Sequence, residues 1–414
     1  MFLRTQSAGS AARTEFEAVL KLDALVAHAA ALARPVASLT PENAPAERAR
    51  LIASLARGET PAPAFSLARQ RVDTWIHGVL DEARFLSRGC AIGALYEARL
   101  DELELDLAIL GAWGDAERVR PLSARRYGRG SELVRMGDTE VPLSQVARTL
   151  LDTLPVREPE AATLPADARE GSSVASFIRR AALGAGLDVD VRVEPRLASL
   201  AATGERTVFL ADRMFSPREA RRLTAHEVFG HLVVAANARA QPLRLLQIGL
   251  AGSFADQEGL ALYLEEELGL MCSDRLRTLA ARVVATVWLY EGASFGEIAR
   301  LLVDEHGFAH AASIAIAERT FRGGGVARDS GYLAGFLRIR SAIKSGDGTL
   351  DELRRGRVSL DAVPVLRELE AGGFVAPACY RPSLALSRKL TFGGTKADTS
   401  PPSDAASLTM LELT

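Results

Sequence analysis

The stretch SPREARRLTAHEVFGHLVVAANARA, Ser216 to Ala240, decides how the rest of the chain reads. Ser216 suits a helix N-cap, Pro217 the first helical position, and Glu219 completes an S-x-x-E capping box. The helix that follows carries His226, Glu227 and His231 as H-E-x-x-x-H, one residue longer than the common H-E-x-x-H. On an α-helix, residues i and i+4 lie about 40° apart around the axis, whereas i and i+5 lie about 140° apart. One centre cannot collect both histidines across that angle unless the helix widens locally. Such π-bulges recur at functional sites. Gly230, directly before His231, is expected to supply the backbone freedom for one.

A hydrolytic zinc centre takes three protein ligands and keeps a fourth position for water. The third candidate is Glu258 in DQEGLALYLEEELG, 27 residues beyond His231, where DQ reads as the polar start of a second helix with Glu258 in its first turn. His226, His231 and Glu258 make the His₂Glu set, with one Zn²⁺ expected per chain, and Glu227 stands where a general base acts on water. The bland alternative is a pair of half-buried histidines with local partners. The capped helix, the intervening Glu and the downstream helical Glu weigh against it.

Working outward, apolar residues at three- and four-residue spacing predict helices over Glu15–Ala33, Leu67–Leu86, Tyr96–Trp113 and Pro142–Leu154. TPENAPAERARL (Thr40–Leu51) reads as a turn followed by a short helix, and RPLSARRYGRG (Arg120–Gly130) as an irregular connection. Glu158–Arg169 reads as a boundary or surface loop. DVDVRVEP (Asp188–Pro195) and GERTVFLAD (Gly204–Asp212) read as two strands of a small antiparallel ribbon. Helix dominates from Asp212 to about Leu369. The expected fold is α+β and predominantly helical: an N-terminal helical region (1–131), a zincin-like catalytic region (132–390) whose β-ribbon precedes the HExxxH helix, and a polar, disordered tail (391–414).

Composition excludes several classes. Across 414 residues, 50 Lys+Arg face 52 Asp+Glu, a net charge of −2, so no global basic footprint for nucleic acid exists. The three cysteines, Cys90, Cys272 and Cys379, form no C-x-x-C pair and indicate neither a disulfide framework nor a thiolate metal site. No apolar run is long enough for a membrane span, and the first residues do not read as a signal peptide. A cytoplasmic location is expected.

HEVFGH, followed by ARAQPLRLLQIGLAG and then QEGLA, resembles the microtubule-associated tyrosine carboxypeptidase family, whose bacterial members are called flavohaemoglobin expression-modulating QEGLA-motif proteins. TPENAPAERARL, ARRYGRG, Ser294–Phe295, FRGGG (Phe321–Gly325) and RDSGYLAG (Arg328–Gly335) look like family landmarks in the same order, spanning roughly residues 15–345. The resemblance implies a zinc metallopeptidase-like fold with His226, His231 and Glu258 as ligands, Glu227 as base, and a peptide or protein C-terminus as substrate. The HExxGH form is also similar to that of dipeptidyl peptidase III, but that family's chain is far longer and the remainder does not match. The eukaryotic relatives act on tubulin and carry additional microtubule segments. No basic extension of that kind is present here, so the chemistry is expected to carry over and the tubulin substrate is not. A zinc amidase acting on a non-peptide metabolite, or a regulatory protein retaining the fold, are the alternative readings. The sequence leaves the oligomeric state open.

In the FRGGG and RDSGYLAG landmarks, Arg322 and Arg328 flank a glycine-rich loop and are candidates for holding a substrate carboxylate, with solvated loop charges as the plain alternative. Tyr332 is a candidate to stabilise an oxyanion, or else a core residue. GASFG (Gly292–Gly296) matches the serine-hydrolase pattern, but Ser294 with Glu297 reads better as a capping box. His306 and His310 are separated by a helix-ending Gly307, and the run Gly323–Gly325 lacks the Lys-Ser/Thr of a phosphate loop.

Overall fold

Apolar side chains at helical spacing generate most of the secondary structure of the computed structural model, which describes residues 10–33, 40–68, 72–90, 92–158, 160–169 and 171–392. The N-terminal helices are α1 (Ser10–Leu32), α2 (Ala44–Ala56), α3 (Trp75–Ser87), α4 (Gly93–Gly111) and α5 (Ala116–Tyr127). A hairpin, β1 (Leu133–Met136) and β2 (Thr139–Pro142), leads into α6 (Leu143–Thr153). Next come β3 (Leu164–Pro165), α7 (Val174–Gly184), β4 (Asp190–Glu194), β5 (Ala201–Thr203), β6 (Thr207–Ala211) and β7 (Met214–Phe215). The decisive helix is continuous from α8 (Pro217–Thr224) through a π-helical segment (Ala225–Leu232) to α9 (Val233–Arg239). It is followed by α10 (Leu245–Ile248), α11 (Ser253–Glu267), α12 (Ser273–Glu291), α13 (Phe295–Asp304), α14 (His310–Phe321) and α15 (Ser330–Ser345). The described chain closes with α16 (Leu350–Leu353), α17 (Val363–Ala371) and α18 (Leu384–Phe392).

The fold is α+β and predominantly helical, as expected, but several elements differ from their sequence reading. The strands at 190 and 207 are parallel, in a three-stranded sheet of order β4-β6-β5, with Val191 opposite Val208 and, in antiparallel register, Ala202 opposite Phe209. A hairpin turn spans only a few residues. Here the stretch from 195 to 206 is long enough to carry β5 along the far side of β6, which leaves β4 parallel. Arg120–Gly130 is mostly helix: Asp115 caps α5, and Pro121 lies inside it. The β1–β2 hairpin went unread because its strands are four residues each and largely exposed. The helix expected from Leu67 begins at Trp75. The expected tail lies, from residue 393 on, outside the described residues. Among the described residues, no helix is long and apolar enough to cross a membrane.

Helix α11 is where the hydrophobic cores meet. Leu262 packs in the core of α6, α12, α13 and α14; Leu260 packs with α1, α3 and α4; Leu264 packs with α7, β6 and the π-helical segment. All three leucines are fully buried, each contributing roughly 1.5–3 kcal/mol. A helix apolar on every side belongs in the interior. The polar residues on α11 are therefore fixed from three directions.

Candidate metal centre

The long helix starts as its sequence predicts. Ser216 Oγ accepts the Glu219 N–H at 3.1 Å, and the Glu219 carboxylate accepts the Ser216 N–H at 2.9 Å. Over Ala225–Leu232 the backbone then widens into π-helix, whose hydrogen bonds skip five residues and bring i and i+5 onto one face. His226 Nε2 and His231 Nε2 consequently lie 3.2 Å apart, their rings edge to face. Gly230 serves this geometry differently from its sequence reading. It has no left-handed φ. A Cβ there would lie 2.5 Å from Ala261 Cβ and 2.9 Å from Ala261 Cα. What Gly230 provides is close approach of α11, not backbone freedom.

Each residue of QEGLA has a task on α11. Gln257 Nε2 donates to the Val358 carbonyl at 2.8 Å and the Leu353 carbonyl at 3.3 Å, tying the helix to the end of α16 and the segment that follows it. Glu258 is the sixth residue of the helix rather than part of its first turn, because α11 already begins at Ser253. Its Oε2 lies 3.4 Å from His226 Nε2 and 3.5 Å from His231 Nε2. Gly259 meets α15 at Gly335, where a Cβ on Gly259 would come within 2.2 Å of the Gly335 carbonyl carbon. Ala261 meets Gly230. Helix α11 is thus held between the π-helical segment and α15 by the smallest residues, and those contacts set how far Glu258 stands from the histidines.

The donor set fits a divalent metal. Nitrogen and oxygen ligands about 2.0–2.2 Å from a tetrahedral ion stand about 3.3–3.6 Å from one another, and the three separations here are 3.2, 3.4 and 3.5 Å. Glu258 Oε2 is buried and, among the described residues, finds no well-formed hydrogen bond. An orphaned carboxylate oxygen between two imidazole nitrogens is costly without a cation. Burial alone would push the His226 imidazole down, but Glu258 and Glu265 outweigh it and lift it to about 9. Burial would likewise raise Glu258, yet the charge of His231 and the contact with His226 hold it well below the usual carboxylate range.

The surrounding residues include several the sequence did not single out. Glu227 is buried, and its Oε2 accepts the Thr203 hydroxyl at 2.7 Å, which joins the expected base to the edge strand β5. Glu265, fully buried two turns beyond Glu258, lies 2.7 Å from His226 Nδ1 and is gripped by the Arg275 guanidinium through two 2.9 Å hydrogen bonds. In the sequence it stands in a run of three glutamates that reads as a solvated face. Its spacing of seven from Glu258 was the one available signal. Nothing marked Thr203.

Tyr332, on α15, is buried beside Phe254, with the Arg282 and Arg319 guanidinium groups 5.2 and 5.9 Å from its ring centre. Burial and the charge of Glu258 push its hydroxyl up to about 12. Arg282, Arg319 and Arg328 lie near Tyr332, Arg322 adjoins Arg319 and Arg328, and the four are of two kinds. Arg319 and Arg282 face the buried Asp329 carboxylate. Arg322 and Arg328 form no ion pair among the described residues. Arg328 stacks on Phe254 at 4.9 Å. Arg322 is drawn down to about 10 by burial and by the like charges of Arg319 and Arg328. It lines a cavity of about 220 Å³ walled by Phe65, Phe295, Phe321 and Arg120. Glu318 also borders this cavity, but Arg48 already holds its carboxylate in a bidentate pair.

The lesser candidates resolve simply. Ser294 and Glu297 form a capping box for α13, so GASFG is no nucleophile elbow. His306 stacks on Trp288 beyond the end of α13. Gly323, Gly324 and Gly325 all hold positive φ, turning the chain sharply between α14 and α15.

Residues 62–391 match the family described as microtubule-associated tyrosine carboxypeptidase. No curated protein matches the chain. The family match covers well over half of the sequence, and the chain belongs to that family, which places it among carboxypeptidase-like hydrolases.

Proposed function

We propose that the protein is a zinc-dependent carboxypeptidase, with His226, His231 and Glu258 holding the metal and Glu227 acting as general base. The observation that carries this reading is the 3.2–3.5 Å spacing of three ligand atoms, one of them an unpartnered carboxylate oxygen, with the Glu227 carboxylate next in sequence to His226. A zinc ion in that position would polarise the scissile carbonyl and acidify a water molecule. Glu227, oriented by Thr203, takes the proton from the attacking water and delivers it to the departing amine. Tyr332 donates its hydroxyl to the developing oxyanion; an ordinary value pushed up to about 12 keeps it protonated at neutral pH.

The substrate is a peptide or protein C-terminus. Arg322 and Arg328, the two arginines in this cluster without a carboxylate partner, receive its terminal carboxylate. The aromatic walls beside Arg322 suit an apolar or aromatic terminal side chain.

The test is metal content, followed by release of C-terminal residues from a peptide library. The purified protein is expected to hold about one zinc per chain, with His231→Ala and Glu258→Ala losing it. Glu227→Gln is expected to keep the metal and lose the release. A wild-type protein that takes up no zinc, or a Glu227→Gln variant that still cleaves normally, would sink the proposal.

A further inference from the structure

We infer that Glu265 is the positioning residue that sets how tightly the centre holds its metal, acting through His226 and itself fixed by Arg275. This rests on reading His226 as a ligand. An imidazole offers one nitrogen to a metal only when the other carries its proton, and a carboxylate accepting that proton fixes both the tautomer and the ring orientation. His226 has this arrangement: Nδ1 faces Glu265 Oε1 at 2.7 Å, and Nε2 faces His231 and Glu258. His231 has no such partner among the described residues.

Glu265 is itself immobilised. Arg275 Nε donates to Oε2 and an Arg275 terminal nitrogen to Oε1, both at 2.9 Å, a fork that leaves the carboxylate no freedom to turn. Arg222 approaches Oε1 at 3.6 Å. Together these cations hold Glu265 below the ordinary carboxylate range against the effect of burial. One helix, α11, therefore carries both a ligand and the group that orients another ligand. The neighbouring Glu266 is engaged elsewhere, paired with Arg340 at 2.8 Å, so it cannot take over the role.

The test is zinc affinity, measured by competition with a chelating dye, for wild type, Glu265→Gln, and the charge-balanced double variant Glu265→Gln/Arg275→Gln. Glu266→Gln serves as the control from the same helix. Affinity is expected to fall roughly 10–100-fold in Glu265→Gln and in the double variant, with the helical circular dichroism intact and the control unchanged. The single variant leaves Arg275 buried without its partner; if it fails to fold, the double variant decides. A folded variant lacking Glu265 that binds zinc within about threefold of wild type overturns the inference, since outer partners of this kind are worth at least tenfold. A wild-type protein that binds no zinc defeats the proposed function instead, and this inference with it.

Discussion

The two halves of the candidate site are built on different principles. On the metal side, His226, His231 and Glu258 sit on two helices pressed together at Gly230 and Ala261, and α11 is pressed again on α15 at Gly259 and Gly335. There His226 is tied to Glu265 and Glu227 to Thr203, while Glu258 turns an oxygen toward both histidines. On the cation side, Arg322 and Arg328 flank three glycines with positive φ and form no ion pair within 4 Å among the described residues, although Asp329 lies within their electrostatic reach. The first half fixes geometry through backbone contact. The second leaves charge uncommitted beside a cavity, which is what recognition of an anionic terminus requires. On the proposed assignment, the metal side tolerates little variation and the binding side is adjustable.

The sharpest way to probe this division is at Glu227, the proposed base. Glu227→Gln is expected to lower turnover about 10²–10⁴-fold, typical of a lost general base, with zinc content unchanged. Loss of metal in that variant would show that Glu227 holds the structure rather than serving the reaction.

Gly335→Ala is the next largest perturbation. Its Cβ would lie 1.9 Å from the Ala255 carbonyl oxygen, a clash between backbones that no side chain can relieve. A loss of about 3 kcal/mol or more in stability is expected, at the upper end of overpacking costs, with weaker zinc binding alongside. Gly331→Ala, one turn earlier on α15, meets nothing closer than 3.5 Å and is expected to be neutral or to stabilise by about 0.5–1 kcal/mol. Equal melting temperatures for the two variants would break the account of the helix crossing.

Arg322→Ala and Arg328→Ala should fall on the other side of the line. Each is expected to raise KM roughly 10–100-fold for a peptide with a free C-terminus, the worth of a hydrogen bond to a charged group. Melting temperature and zinc content should not move. A stability loss as large as that of Gly335→Ala would mean that these arginines are structural after all.

The smallest effect concerns the entry to the long helix. Ser216→Ala is expected to cost about 1 kcal/mol on thermal unfolding, the ordinary worth of an N-cap. Zinc affinity should hold, because the π-helical segment is braced by α11 rather than by its own start.

What could be read from the sequence follows the same division. The capping boxes at Ser216 and Ser294, the widened helix and the pairing of His226 with His231 all follow from local spacing, and all are present. The parallel pairing of β4 with β6 did not follow, because strand direction depends on the path of the connection and not on alternation within each strand. The task of Gly230 was misread for a related reason. A small residue in a helix signals either freedom or contact, and only the neighbouring helix tells which. Glu265 was hidden by its own neighbours: three consecutive glutamates point in three directions, and only Glu265 is fully buried. Thr203 lies on a strand of three residues, too short to carry any pattern. Arg322 and Arg328 were singled out for chemistry alone, and what separates them from Arg319 and Arg282 is Asp329, an association made only in three dimensions.

The π-helical segment has a consequence for the history of the chain. A helix containing one holds a residue more than a plain α-helix over nearly the same rise. At Ala225–Leu232 that surplus is absorbed locally, and α8 and α9 continue on either side as regular helices. Within this helix it is therefore the stretch that most readily absorbs the loss of a single residue. Removing Val228 would shorten H-E-x-x-x-H to H-E-x-x-H and let the turn revert to α-helix with the two histidines still on one face. The two motif lengths are one deletion apart, at a segment flanked on both sides by regular helix.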